Sequence, residues 1–440
     1  MGQLSKYLLL PLFVASIFFL SWYPEQHEFT FIFLGFTFAF ILYGLLISKK
    51  ILFENSFQTL LFLGLGARMA LLPMFPNLSD DIYRFFWDGM LLHQGINPYS
   101  VLPSAIVDTL ESDQMRIAFD EMNSQSYFTI YPPIAQLIFY TGTFAKTIKG
   151  FSIILKLIFI VFELFTVYFL LRLCQRFNLH KENVFFYFLN PLVIVEGVGN
   201  LHFETVMLSF FIGALYFLSI IRLWSFVTLF VLAVATKLVP LLFGPILFIK
   251  HLKLKDTFRA LIYGAILTVL IFFPVYFGLQ YGNFAESLDL YFRKFEFNAS
   301  LYYILRKVGF WMFGYNTIQT AGPLLAIVSF LSILYLSFKP KMLKLETILH
   351  TCIWIVSIYL FTATTVHPWY LMTLLLLGVF KPYKYIAVWS YLVVLSYYTY
   401  SNTKFEENMA LISIEYFVVF ALIIIAFIMP NKALVQMKKV

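Results

Sequence analysis

A dozen apolar runs, each close to the roughly twenty residues that carry a helix across a ~30 Å hydrocarbon core, constrain this chain more than any motif in it. They lie near 7–22, 29–48, 57–74, 150–171, 183–199, 202–221, 257–279, 323–338, 347–365, 368–380, 384–400 and 411–429. Lipid offers no partners to backbone N–H and C=O groups, so such runs must be helices that satisfy their own hydrogen bonds. Composition agrees: 61% of the 440 residues are hydrophobic, 12% are charged, and mean hydropathy is +0.83. The expected class is an all-α polytopic integral membrane protein, a single domain over 1–440.

The first run ends in Ser21-Trp22-Tyr23-Pro24 without a small-residue cleavage site, so it reads as a retained helix and not a signal peptide. Cys174 and Cys352 lack metal-type spacing and read as inert thiols. The net charge of +8 does not point to nucleic acid, because the basic residues sit in short connections between spans, where the positive-inside bias puts them. By that bias Lys6, Lys49, Lys50, Arg172, Arg176, Lys181, Lys250, Lys253, Lys255, Arg259, Lys339, Lys341, Lys344, Lys381, Lys384, Lys432, Lys438 and Lys439 face the cytoplasm, as do both termini. Segments 75–130 and 280–320 are then extracytoplasmic loops.

Two segments break the pattern. Run 131–146 is short and follows Tyr131-Pro132-Pro133, so it is expected to be re-entrant or to lie at the outer interface. Segment 224–250 is interrupted by Lys237 and Pro240, and each half reaches only ~21 Å at helical rise. It reads as a broken short hairpin, and irregular backbone at membrane depth survives only against protein or a wet cavity. Of the charges inside spans, Arg68 is expected to snorkel, Glu163 to pair internally, and Lys237 to meet carbonyls freed by the break or to bind phosphate.

The segment Leu78-Ser79-Asp80-Asp81-Ile82-Tyr83-Arg84-Phe85-Phe86-Trp87-Asp88-Gly89 gathers three carboxylates and a guanidinium just beyond a span. Ser79 or Asp80 is suited to cap a helix on which Asp81, Arg84 and Asp88 share a face. Other polar residues recur at the same side: Asn97, Tyr99, Tyr131, Glu196, Asn200, His202, Glu204, Arg293, Lys294, Glu296, Asn298 and His367. Each alone has an ordinary structural explanation, but together they are placed to converge on one outward-facing site. A carboxylate there can take a proton from an acceptor hydroxyl, and nearby cations and donors can stabilise a leaving phosphate. No glycine-rich nucleotide cradle is present, which argues against a cytosolic sugar nucleotide as direct donor.

The blocks Ser79-Asp80-Asp81-Ile82-Tyr83-Arg84, Trp87-Asp88-Gly89, Gly95-Ile96-Asn97-Pro98-Tyr99 and Tyr131-Pro132-Pro133 resemble the GT-C superfamily of lipid-phosphate-sugar-dependent glycosyltransferases, mannosyltransferases most. Asn190-Pro191-Leu192, Gly199-Asn200, Glu204, Thr236-Lys237, Phe295-Glu296-Phe297-Asn298, Ser300-Leu301-Tyr302-Tyr303 and Val366-His367-Pro368-Trp369-Tyr370 extend the similarity over about 60–380. In order and spacing they resemble the catalytic subunit of the first mannosyltransferase of GPI-anchor synthesis and its bacterial relatives. The resemblance implies a GT-C fold with roughly 12 to 14 transmembrane helices and interfacial helices in the first outer loop. It also implies a catalytic acid in that loop, Asp80 or Asp81. The eukaryotic pattern is Asp-x-Asp-Tyr, whereas this chain has Asp80-Asp81-Ile82-Tyr83, so the base stays open between neighbours. Counting back from Tyr83 favours Asp80.

The expected activity is inverting transfer of a sugar, mannose first, from a polyprenyl-phosphate donor to a hydroxyl of a glycolipid or cell-envelope glycan. Arg84 and Asp88 would orient the base or bind acceptor. Lys237, Arg293 and His367 would recognise phosphate, while Asn97, Tyr99, Tyr131, Asn200, His202, Glu204 and Asn298 complete the substrate-binding set. No metal and no cofactor are expected, and membrane lipid is the surrounding partner. The lack of long polar extensions or a retention signal suggests a bacterial inner membrane with the site on its periplasmic side. The alternative is a transporter or flippase of lipid-linked saccharide, which would distribute charge through the spans and carry repeat symmetry.

Overall fold

Residues 3–48, 51–52, 55–276, 281–338 and 343–428 are described by a computed structural model. Lys49, Lys50, Lys339, Lys341, Lys432, Lys438 and Lys439 lie outside the described residues, as do residue 280 and the last residues of runs 257–279 and 411–429. Apart from a parallel bridge between Phe297 and Thr365 and an isolated bridge residue at Leu179, the regular structure of the described residues is helical. Among the described residues, five helices are long and apolar enough to cross a membrane: Phe29–Leu46, Ile148–Arg176, Ile318–Ser337, Leu345–Thr362 and Met409–Ile428. A sixth arises if Val193–Gly199 and Glu204–Ser219, bent by 108° at their junction, form one span. The molecule is an all-α membrane protein.

Several apolar runs are shorter or more broken than uninterrupted spans. Run 57–74 is helical over Phe57–Met69, started by Ser56, whose hydroxyl accepts the Thr59 N–H. Run 368–380 enters through a 3₁₀ turn at Pro368–Tyr370 before Leu371–Gly378, because proline has no N–H for a helical bond but suits a first turn. Run 384–400 passes from Lys384–Leu392 into the 3₁₀ stretch Val393–Ser401. Helix Leu254–Ile271 carries Lys255, Asp256 and Arg259 near its start, then exposes Phe258, Leu261, Ile262, Ile266, Val269 and Leu270. That apolar stripe suits hydrocarbon and not water.

Buried charges in the helices find partners within the fold, some ionic and some neutral. Arg68 is fully buried and does not snorkel: its guanidinium lies 2.6 Å from Glu163 and donates to the carbonyls of Gly64 and Phe188 at 3.0 and 2.8 Å. Glu163 also accepts from the Tyr187 hydroxyl at 2.8 Å. Lys156, which its sequence position did not mark out, donates to the carbonyls of Leu71 and Met74 where helix Phe57–Met69 unwinds. It supplies donors to carbonyls that the helix end leaves over.

The two segments that broke the sequence pattern meet each other. Tyr131-Pro132-Pro133 leads into Pro133–Gly142, about 15 Å of helix and too short to span. The Ile134 N–H donates to Ala235 O at 2.9 Å, in the gap between Leu223–Val234 and the 3₁₀ turn Val239–Phe243. Helix Asp81–His93 packs closely on Pro133–Gly142: a Cβ on Gly89 would lie 2.7 Å from the Phe139 carbonyl oxygen, so only glycine permits the approach. Phe85 stacks on Phe139 at 4.6 Å. On the far side, Phe297 donates to Thr364 O and accepts from Val366 N–H, which draws 295–298 and 364–367 together.

Candidate active site

Asp81 opens helix Asp81–His93, and Asp80 occupies the N-cap position. Asp80 does not cap: its carboxylate accepts from Asn123 Nδ2 at 3.1 Å, while Ser79 Oγ takes the Asp81 N–H at 3.4 Å. The neighbours therefore face different partners. Asp81 Oδ2 lies 3.8 Å from His202 Nδ1 and accepts a hydrogen bond from the Tyr131 side chain. Burial, and then the Asp80 charge, push the Asp81 carboxyl up to about 7, with Lys237 acting in the opposite sense. Burial also raises Asp80, against the Asn123 bond. A carboxyl near 7 is matched to accepting a proton at neutral pH.

His202 follows the sharp bend between Val193–Gly199 and Glu204–Ser219. Leu201 holds φ +63 there, a left-handed conformation that a branched side chain resists unless its surroundings impose it. The bend gathers four polar residues. Glu196 accepts from Tyr397 at 2.5 Å and from Asn200 at 3.2 Å, and its carboxylate lies 3.2 Å from His202 Nε2 without hydrogen-bond alignment. Asn200 Oδ1 takes the Leu78 N–H, tying the bend to the start of the acidic loop. Glu204 pairs with Lys237, which comes from the broken segment and lies 5.3 Å over the Tyr370 ring. Lys237 thus meets a carboxylate instead of the loose carbonyls its neighbourhood suggested.

Four rings continue the site laterally. His202 stacks on Trp369 at 3.6 Å, Trp369 on His367 at 4.4 Å, and His367 on Phe297 at 4.7 Å. Burial lowers the His367 imidazole to about 3, so it is neutral and acts as donor or acceptor, not as a cation. Among the described residues, Glu204 Oε2, His202 Nε2 and His367 Nδ1 are buried without a hydrogen-bond partner. Three such atoms in one place are costly, on the order of 1–3 kcal/mol each, and are what a polar ligand would satisfy.

Asp81, Tyr131, Asn200, His202, Glu204, Lys237 and His367 are thus drawn together. Arg84 and Asp88 are not directed at Asp81. They bond each other at 2.9 Å, Asp88 accepts from Gln136 at 2.8 Å, and Arg84 donates to the carbonyls of Ser124 and Tyr127. Asn97 reaches Pro274 O, and the Tyr99 hydroxyl reaches Tyr131 O, so both stitch the outer loop to its surroundings. Asn298, at φ +46, sits behind Phe297 and bonds Glu407 through its N–H and Glu415 through its side chain. Arg293 is exposed and pairs with Asp289 at 2.8 Å.

Among the described residues, no group of three or more histidine, cysteine or acidic side chains could hold a metal ion. Sequence reasoning passed over Trp369 and Tyr397 as site members and left Glu196 outside the binding set. Only Trp369 had a local signal, its place directly after His367-Pro368.

Residues 21–252 match a family model described as alpha-(1→6)-mannopyranosyltransferase, N-terminal domain, of the MptA_B family. The match takes in the acidic loop, the bend and Lys237, and stops before 295–298 and 366–370. No curated protein and no solved structure matches the chain. With more than half of its length matched, this chain belongs to the MptA_B family and is a mannosyltransferase, hence a glycosyltransferase.

Proposed function

We propose that the protein transfers mannose, with inversion, from a polyprenyl-phosphate donor to a hydroxyl of a lipid-linked or cell-envelope glycan on the extracytoplasmic face. Asp81 is the general base in this reading, in preference to Asp80. The observation that carries it is the Asp81 carboxyl, near 7, beside His202 and Tyr131 and close to a lysine and three unpartnered polar atoms.

In the step itself, the acceptor oxygen attacks the anomeric carbon while its proton passes to Asp81. The anomeric C–O bond to phosphate breaks, and its electron pair leaves on the polyprenyl phosphate. Lys237 and a His367 ring N–H offset that developing charge, as pre-set donors and cations do at a leaving oxygen. Tyr131 holds the Asp81 carboxylate, and the Arg84–Asp88 pair holds the helix that carries it. Arg84 and Asp88 therefore act by position, not by contact with sugar.

Purified protein in detergent should transfer labelled mannose from polyprenyl-phosphate mannose with no nucleotide added. Transfer from GDP-mannose alone, with the lipid donor inert, sinks the donor assignment. For sidedness, Ser104→Cys should react with an impermeant thiol reagent on intact cells and Lys253→Cys should not; the reverse pattern inverts the site. Membership of an enzyme family leaves the flippase alternative without support.

A further inference from the structure

Beside the four-ring stack lies a cavity of about 520 Å³, lined by Phe297, Arg306, Tyr400, Phe405, Glu296 and Glu407 among others. It adjoins the candidate active site through Phe297, which stacks on His367 and forms one wall of the cavity. Tyr400, 5.8 Å from Phe297, forms another. We propose that this cavity binds the sugar of the acceptor, with Phe405 as a stacking platform and Arg306 and Glu407 as hydrogen-bonding partners of its hydroxyls. This rests on the transferase reading and names the subsite for its second substrate.

Three observations support the assignment. First, Phe405 is 65% exposed yet is held at φ +53, in the left-handed region, with its N–H bonded to Asn402 O. Strain that displays an apolar ring to solvent does nothing for folding, and such strain clusters at ligand sites. Its ring stands edge-on to Tyr400, so the two give a corner of aromatic surface suited to the C–H face of a pyranose. Second, the charge is wrong for phosphate: the lining carries Glu296, Glu406 and Glu407 against Arg306, which is already bound to Glu296 at 2.5 Å, and the neighbouring Lys404 is drawn to Glu406 at 4.0 Å. A neutral, hydroxyl-rich group is the ligand that can use acceptor oxygens without repulsion. Third, the polar groups are pre-set. Glu407 is fixed by the Asn298 N–H and the Tyr303 hydroxyl, and the Arg306 guanidinium lies 4.4 Å over the Tyr303 ring. Its second terminal nitrogen has only the weak Met409 sulfur contact at 3.7 Å.

The test reads binding, so it does not depend on turnover. Octyl α-mannoside and sugar-free polyprenyl phosphate are titrated separately into the full-length protein in detergent. Phe405→Ala removes an exposed ring and leaves no internal hole, and Glu407→Gln removes charge at constant shape. Each should raise the mannoside Kd about tenfold or more and leave the polyprenyl-phosphate Kd within about twofold. Mannoside binding unchanged in both variants overturns the proposal, as does a wild-type protein that binds no mannoside or an equal loss of phosphate-lipid binding. Asp81→Asn separates the two readings: it should keep both affinities while abolishing transfer. If it transfers normally, the base assignment fails and the subsite stands.

Discussion

Of the charge clusters among the described residues, two are finished to different degrees. Around Arg68, in the helices, one guanidinium meets Glu163 and two carbonyls, Glu163 meets Tyr187, and only Arg68 Nε lacks a partner while its group lies 4.0 Å over the Phe188 ring. Around Asp81, Glu204 Oε2, His202 Nε2 and His367 Nδ1 are all unpartnered, Asp81 is raised to about 7, and Leu201 is strained. Arg68 and Glu163 are fully buried whereas Asp81 and Lys237 each stay 26% exposed, and satisfaction differs as well. A closed network holds helices together, whereas an open one is a stored cost that a substrate relieves. The two should therefore fail differently when broken.

The largest effect belongs to the open cluster. Asp81→Asn is isosteric and should lower transfer roughly 100- to 10,000-fold, the usual worth of a positioned base, with no loss of thermal stability. Asp80→Asn, which weakens the bond from Asn123 and removes a charge that helps raise Asp81, should cost less than about tenfold. Initial rates at saturating donor, beside melting curves of each variant, decide between them. Equal loss in both would move the base back to an undivided pair.

The closed cluster should answer in stability. Arg68→Met leaves Glu163 as a buried, uncompensated charge and should cost about 3–5 kcal/mol, whereas Arg68→Met with Glu163→Gln should recover much of it. Thermal unfolding in detergent measures both. If the single variant melts like the wild type but loses transfer, the Arg68 cluster belongs to function and the comparison collapses.

How far each cluster could be read from sequence follows from how local its signals are. The apolar runs, the short run after Tyr131-Pro132-Pro133 and the break around Lys237 and Pro240 are periodic or punctuated features that a linear reading catches. Pairings across the fold are not. Arg68 and Glu163 are 95 positions apart, Glu196 and Tyr397 are 201 apart, and nothing local tells Lys237 that its partner is Glu204 and not a freed carbonyl. The meeting of Arg84 and Asp88 on one helix face was legible, but the loop 123–127 that claims Arg84, and the separate direction of Asp81, were not. The step from Asp80 to Asp81 depends on where one helix begins and which neighbour accepts from Asn123, details finer than any motif count. Phe405 carried no sequence signal, because its meaning lies in a positive φ and a neighbouring cavity.

A pH profile sharpens the contrast further. Asp81 must be ionised to take a proton, so kcat/KM should fall about tenfold per unit below about pH 7 and level off above it. Its effect on stability has the opposite sense. The folded state holds this proton more tightly than the unfolded chain, whose carboxyl titrates near 4, so stability falls as pH rises from about 4 to 7 and the cost is full above that. Glu407, also pushed up to about 7 by burial, contributes with the same sign. Comparison at each pH isolates Asp81: Asp81→Asn should match the wild type near pH 4 and be at least as stable at pH 8. A variant less stable at pH 8 would mean that the ionised carboxylate is held favourably, against the open character of its cluster.

The smallest expected effect lies outside both clusters and tests whether position alone makes a charge functional. Arg293 was placed by sequence among the phosphate-recognising residues, on the same side as the acidic loop. Its guanidinium is 54% exposed and pairs with Asp289 one helical turn away, an arrangement worth about 0–1 kcal/mol and screened by salt. Arg293→Ala should therefore change the KM for polyprenyl-phosphate mannose by no more than about twofold and leave kcat alone. Lys237→Ala, in contrast, should depress kcat, because it removes a cation beside the reacting centre and strands Glu204. A large rise in donor KM for Arg293→Ala would mean that the 281–293 helix moves onto the donor during binding, and that an exposed ion pair can be as much a part of the site as the buried one.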